Sequence, residues 1–141
     1  MIRLLSLAAA SALVVPTAAA AGPVSVELSG LRGGGTLYVQ VQTRSQFLGG
    51  ERVAGRIVQA PAAGTLSVEL GEVPPGDYAI SVWHDRNGNQ RMEINPSAGA
   101  AYDGWAMHNG DALRARPEFD LVKLAVPAGG LRVPLALTYG R

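Results

Sequence analysis

Apolar and polar residues alternate along most of the chain with a period of two. Val24-Ser25-Val26-Glu27-Leu28 sets the pattern, and Leu37, Val39 and Val41 repeat it in residues 37–42. Successive side chains of a strand point to opposite faces, so this alternation is what a half-buried strand requires. Residues 56–59 are a weaker match, and 65–70 alternate cleanly. Val73-Pro74-Pro75-Gly76-Asp77 reads as a turn leading into a strand over 78–84. Residues 119–126 and 131–139 complete the set, joined through Pro127-Ala128-Gly129-Gly130. No apolar pattern of helical period and length follows residue 22. The pattern predicts an all-β domain: a single antiparallel β-sandwich of about seven strands with one long loop. Pro134, inside the last run, predicts an edge position or a bulge, because proline cannot donate to a ladder. After Asp77, Tyr78, Ile80, Val82 and His84 fall on the core face. Ala79, Ser81 and Trp83 fall on the other, with Trp83 expected to cover the loop that follows.

The first 21 residues break this pattern. Met1-Ile2-Arg3 is a positive start, and residues 4–15 are apolar except for Ser6 and Ser11. Pro16-Thr17 and Ala18-Ala19-Ala20-Ala21 follow. This is the order of a cleaved secretory leader, with cleavage expected after Ala20 or Ala21. The apolar run is shorter than the ~20 residues that span a bilayer as a helix. The expected organisation is a signal peptide over 1–21, a β-sandwich over 22–141 and no transmembrane segment in the mature chain. The expected location is periplasmic or secreted.

Composition narrows the possible functions. The chain has no cysteine, which excludes a disulfide framework, a thiolate metal site and a cysteine nucleophile. It carries 12 Lys+Arg against 11 Asp+Glu, and loss of Arg3 with the leader leaves them equal. That balance offers no electrostatic basis for binding nucleic acid. The residues offer little to a catalyst. No Gly-x-Ser-x-Gly elbow is present, and Gly33-Gly34-Gly35 opens no helix that would cradle a phosphate.

Candidate chemistry concentrates between His84 and Phe119, where neither period is visible. Connections beyond ~12–15 residues are uncommon in compact domains and are often functional. Asp85, Asn87, Asn89 and Glu93 place oxygen side chains along its opening, a spacing that can turn them around one hard cation. Calcium takes roughly 6–8 such oxygens. The spacing resembles the first half of an EF-hand loop, but departs from it with Gln90 at the sixth position and Pro96 at the twelfth. The alternative is a turn, since Asn87-Gly88 is a type I′ signal and Asp85 and Asn89 can bond nearby backbone N–H groups. Further on, Tyr102, Trp105 and His108 cluster aromatic and polar groups suited to contacting a sugar or a peptide. His84 and His108 lie far apart in sequence, a poor pattern for zinc or copper.

The residues also carry a resemblance. The "GTLYVQV" strand, the "VPPGDYAISVWHDRNGNQRME" block and the "AYDGWAMHN" stretch are similar to the exported bacterial family catalogued as domain of unknown function 2141. The Pro-Pro-Gly-x-Tyr strand entry also resembles transthyretin-like and peptidase-regulatory-like sandwiches, and the expected sandwich is immunoglobulin- or transthyretin-like. That likeness implies a non-catalytic accessory module. The expectation is an exported non-enzymatic module that binds an envelope or extracellular ligand through its 85–118 loop, with calcium as its candidate cofactor. Two alternatives stand beside it. One is a structural protein of the envelope with no ion or small ligand. The other is a small metal-assisted hydrolase, which needs His84 and His108 to converge with a carboxylate.

Overall fold

The computed structural model describes residues 18–93 and 103–140. Most of the expected leader and Tyr102 lie outside the described residues. Two sheets pack face to face. The smaller has the order β4-β1-β8, from β1 (Gly22–Leu31), β4 (Gly64–Val73) and β8 (Leu131–Ala136). The larger has the order β3-β2-β5-β6-β9, from β2 (Thr36–Gln42), β3 (Ala54–Gln59), β5 (Gly76–Asp85), β6 (Gly104–Met107) and β9 (Thr138–Tyr139). The short β7 (Leu124–Val126) pairs with the start of β5, while β6 pairs with its end.

The alternation in the sequence is the alternation in the fold. Val24, Val26 and Leu28 of β1, Leu37, Val39 and Val41 of β2, and Tyr78, Ile80 and Val82 of β5 meet in one core. Val68, Leu70, Val133 and Leu135 close it from β4 and β8. Each such side chain withdrawn from water contributes roughly 1.5–3 kcal/mol, so the sandwich is held without disulfides. The reverse face of β5 carries a second, smaller cluster. There Ala79 packs with Phe119 and Val122, flanked by Phe47, Met107 and Leu113.

Four details differ from the sequence expectation. The pairing of β1 with β8 is parallel, whereas all pairs were expected to be antiparallel. Chain termini far apart in sequence can pair in either sense, and alternation alone carries no direction. The connection after His84 is not structureless, because β6 and a 3-10 turn at Gly110–Ala112 lie within it. Residues 119–126 are not one strand: Phe119–Val122 forms a single helical turn, α1, which turns Phe119 and Val122 onto Ala79. Residues 131–139 are two strands in different sheets, and the chain crosses between them at Leu137.

Pro134 stands on β8, at the edge of the smaller sheet, as expected. The Leu137 N–H donates inward to the Ser29 carbonyl of β1. By alternation the N–H of residue 134 would face outward, so proline removes a donor from the open edge and not from the ladder.

Candidate functional site

The end of β5 organises the polar part of the molecule. His84 and Asp85 are both fully buried. His84 faces the core, where its Nδ1 lies 2.7 Å from the Tyr139 hydroxyl and its Nε2 lies 2.6 Å from the Gly34 carbonyl. A carbonyl only accepts, so Nε2 carries the proton and Nδ1 accepts from Tyr139. The Tyr139 hydroxyl in turn accepts the Arg32 N–H at 2.9 Å. Burial raises the Tyr139 pKa above the usual tyrosine value, while the Arg32 N–H and the charges of Arg32 and Arg86 oppose the rise.

Asp85 turns the other way and closes the loop. Its Oδ1 accepts the Gly88 N–H and its Oδ2 the Gln90 N–H, each at 2.9 Å. Asn87 Oδ1 accepts the Asn89 N–H at 3.1 Å, and Asn89 Oδ1 accepts the Arg91 N–H at 2.9 Å. Asn87 Nδ2 donates to Glu93 Oε2 at 2.7 Å. The four oxygen residues singled out in the sequence therefore form one connected loop. Each of the first three holds its side-chain oxygen against backbone N–H groups a few residues ahead. The turn is not type I′, which needs positive φ at both central residues. Gly88 has φ 72°, but Asn87 is not among the residues with positive φ.

A third carboxylate, which the sequence offers only as a partner for His84 and His108, completes this arrangement. Asp103 is fully buried just before β6. Its Oδ1 accepts the Arg86 N–H at 3.1 Å. Its Oδ2 accepts Trp83 Nε1–H at 2.8 Å and the Glu93 N–H at 3.0 Å. Asp103 thus ties both ends of the loop to the outer face of β5. Trp83 covers the loop as expected and also stacks on Tyr38, with ring centroids 4.8 Å apart. The signal for Asp103 in the sequence was weak, because a lone Asp before a glycine is more often a turn residue.

Trp105 and His108 come together in a cleft of about 320 Å³. Trp105 lies on β6 and not in an open loop, and Gly110 of the 3-10 turn rests against its ring. The opposite wall is the crossing from β8 to β9, with Pro134, Leu135, Ala136 and Thr138. Asp111 is also part of the lining. The volume is near the lower end of the ~300–1,000 Å³ typical of small-molecule sites.

His84 and His108 are not neighbours: one is sealed in the core by Tyr139 and Gly34, the other lines the cleft. Among the described residues, no three His, Asp or Glu side chains are grouped to hold a metal ion. A calcium loop would draw on Asn and backbone oxygens as well, which suits the Asp85, Asn87 and Asn89 donor set.

A family model, described as an uncharacterized protein conserved in bacteria and designated DUF2141, matches residues 26–133. No curated protein and no solved structure matches the chain. The match takes in the core strands β2 to β6 and both buried aspartates, and the chain belongs to the DUF2141 family.

Proposed function

We propose that the protein is an exported, non-catalytic binding module that takes its ligand in the Trp105–His108 cleft. The observation that carries this reading is that two half-buried residues, Trp105 and His108, line one cleft together with Asp111 and Thr138. The lining mixes apolar and polar groups in similar measure, which suits a ligand that carries hydroxyl or amide groups beside an apolar face. Export is supported by the leader pattern and by β1 opening at Gly22, directly after the expected cleavage point. The ligand class is a sugar or peptide of the cell envelope. The test is a titration of tryptophan fluorescence with soluble muropeptides, which present both chemistries. A saturable change that is lost in Trp105→Ala supports the reading, and an unchanged spectrum in both proteins overturns it. N-terminal sequencing of the exported protein should begin at residue 21 or 22.

A second reading concerns calcium, and one observation favours it. The side-chain oxygens of Asp85, Asn87 and Asn89 are already held along one curved loop by backbone N–H groups. Such preorganisation lowers the entropic cost of binding a hard cation. A ligand that binds only the native state stabilises it by about 2.7 kcal/mol at a hundredfold excess over Kd. Calcium should then raise Tm by several degrees. EDTA should reverse the rise, and Asp85→Ala should abolish it. An identical Tm in calcium and in EDTA would leave the loop as a turn.

A further inference from the structure

Arg32 and Arg86 come together at one end of the sandwich. There the turn after β1 packs directly on the end of β5. A Cβ on Gly35 would collide with the Asp85 carbonyl oxygen and stand 2.8 Å from the Arg86 Cα, so only glycine allows this approach. The contact brings Arg32 and Arg86 to the same aromatic ring. The Arg32 guanidinium lies 4.4 Å from the Tyr139 centroid, and that of Arg86 lies 5.9 Å from it.

Among the described residues, neither guanidinium has an acid partner. The surface ion pairs there use Arg44, Lys123 and Arg132. Asp85 and Asp103 are the buried carboxylates among the described residues, but their oxygens accept backbone and indole N–H groups and lie beyond 4 Å from either guanidinium. Arg86 Nε is shielded from solvent and finds no acceptor among the described residues. A buried donor without an acceptor is costly, and so are two like charges held on one ring. The Tyr139 hydroxyl offers no relief, since it is bound to His84 and to the Arg32 N–H.

One ligand chemistry resolves the shared charge. A tetrahedral oxyanion supplies acceptors for guanidinium N–H groups, and its charge compensates the pair. Guanidinium forks match phosphate and sulfate oxygens in geometry as well as in charge. We propose that Arg32 and Arg86, positioned by Tyr139, form a binding site for a phosphate or sulfate group. Tyr139 is a positioning residue here and does not touch the anion through its hydroxyl.

The test is calorimetric titration of the purified protein with inorganic phosphate and with sulfate, against chloride at matched ionic strength. A parallel arm measures co-sedimentation with phosphatidylcholine vesicles doped with phosphatidylglycerol. Saturable heat with the free anions identifies a soluble ligand. Sedimentation with the doped vesicles, without such heat, identifies a lipid headgroup as the source of the same group. In either case Arg32→Gln should weaken binding at least tenfold. Arg32 is exposed, so its replacement leaves the core intact. Arg86→Lys should weaken binding too, since it keeps the charge and loses the fork. No binding in either arm, or equal binding by Arg32→Gln, overturns the proposal.

Discussion

The Tyr139 hydroxyl stands 2.7 Å from His84 Nδ1, and its ring reaches that point by lying across Gly104. The three residues occupy neighbouring strands in register, His84 opposite Gly104 and Gly104 opposite Tyr139. A Cβ at Gly104 would fall 2.5 Å from the Tyr139 ring. The missing side chain is thus what lets a C-terminal tyrosine seal a histidine at the far end of another strand.

Gly104→Ala should therefore destabilise the domain by about 1–3 kcal/mol, the usual cost of overpacking a well-filled core. Tyr139→Phe should cost roughly 1–3 kcal/mol, because it orphans His84 Nδ1 and the Arg32 N–H. Urea unfolding of each variant checks both. The double variant should cost less than the sum, since both changes break the same contact. Strict additivity would show that Gly104 and Tyr139 are not coupled.

Asp103 holds three N–H donors from both ends of the 86–93 loop and from Trp83. Hydrogen bonds to a charged group contribute about 1.5–3 kcal/mol each, and the losses overlap. Asp103→Ala should destabilise the protein by roughly 3 kcal/mol and shift the Trp83 emission towards that of exposed indole. Chemical denaturation followed by fluorescence measures both. A variant with wild-type stability and emission would remove Asp103 as the anchor of the loop.

The ionic contacts on α1 should make its docking sensitive to acid. Arg44 donates to both carboxylate oxygens of Asp120, at 2.8 and 2.5 Å, and Lys123 approaches one of them at 3.5 Å. The hydrogen bond from Arg44, aided by Lys123, lowers the Asp120 pKa from 3.8 to about 2. A lowered carboxylate pKa stabilises the fold above the unfolded value, and that contribution is lost as pH falls through the folded value. The stability difference between wild type and Asp120→Asn should hold at neutral pH and shrink between about pH 4 and pH 2. The pair is fully exposed, so the effect is small and screened by salt. A difference that does not change with pH would show that the pair is inert.

Pro134 removes an outward donor from the open edge of β8. Pro134→Val should restore that donor in a residue that favours strands, and should increase self-association through the edge. Sedimentation at rising concentration tests this. A variant that associates no more than wild type would show that other features protect the edge.

Much of the fold was legible because alternation is a local property. Val24, Val26 and Leu28, or Tyr78, Ile80 and Val82, declare a buried face wherever they pair, since burial rewards a period of two in any sheet. Pro134 declared an edge because it lacks a donor. The same locality explains how Asp85, Asn87, Asn89 and Glu93 could be recognised as one loop from their spacing. Partners distant in sequence left no local trace. Alternation carries no direction, so the parallel pairing of β1 with β8 was not written in either strand. Trp105 read as a loop residue because β6 is four residues long and is defined by its neighbours, β5 and β9. Phe119 and Val122 read as strand until Ala79 gave them a surface to turn onto. Asp103, Tyr139 and the Arg32–Arg86 pair gained their roles only when the sheets closed. Their hydrogen bonds, charges and burial depend on groups that tertiary packing brings within reach.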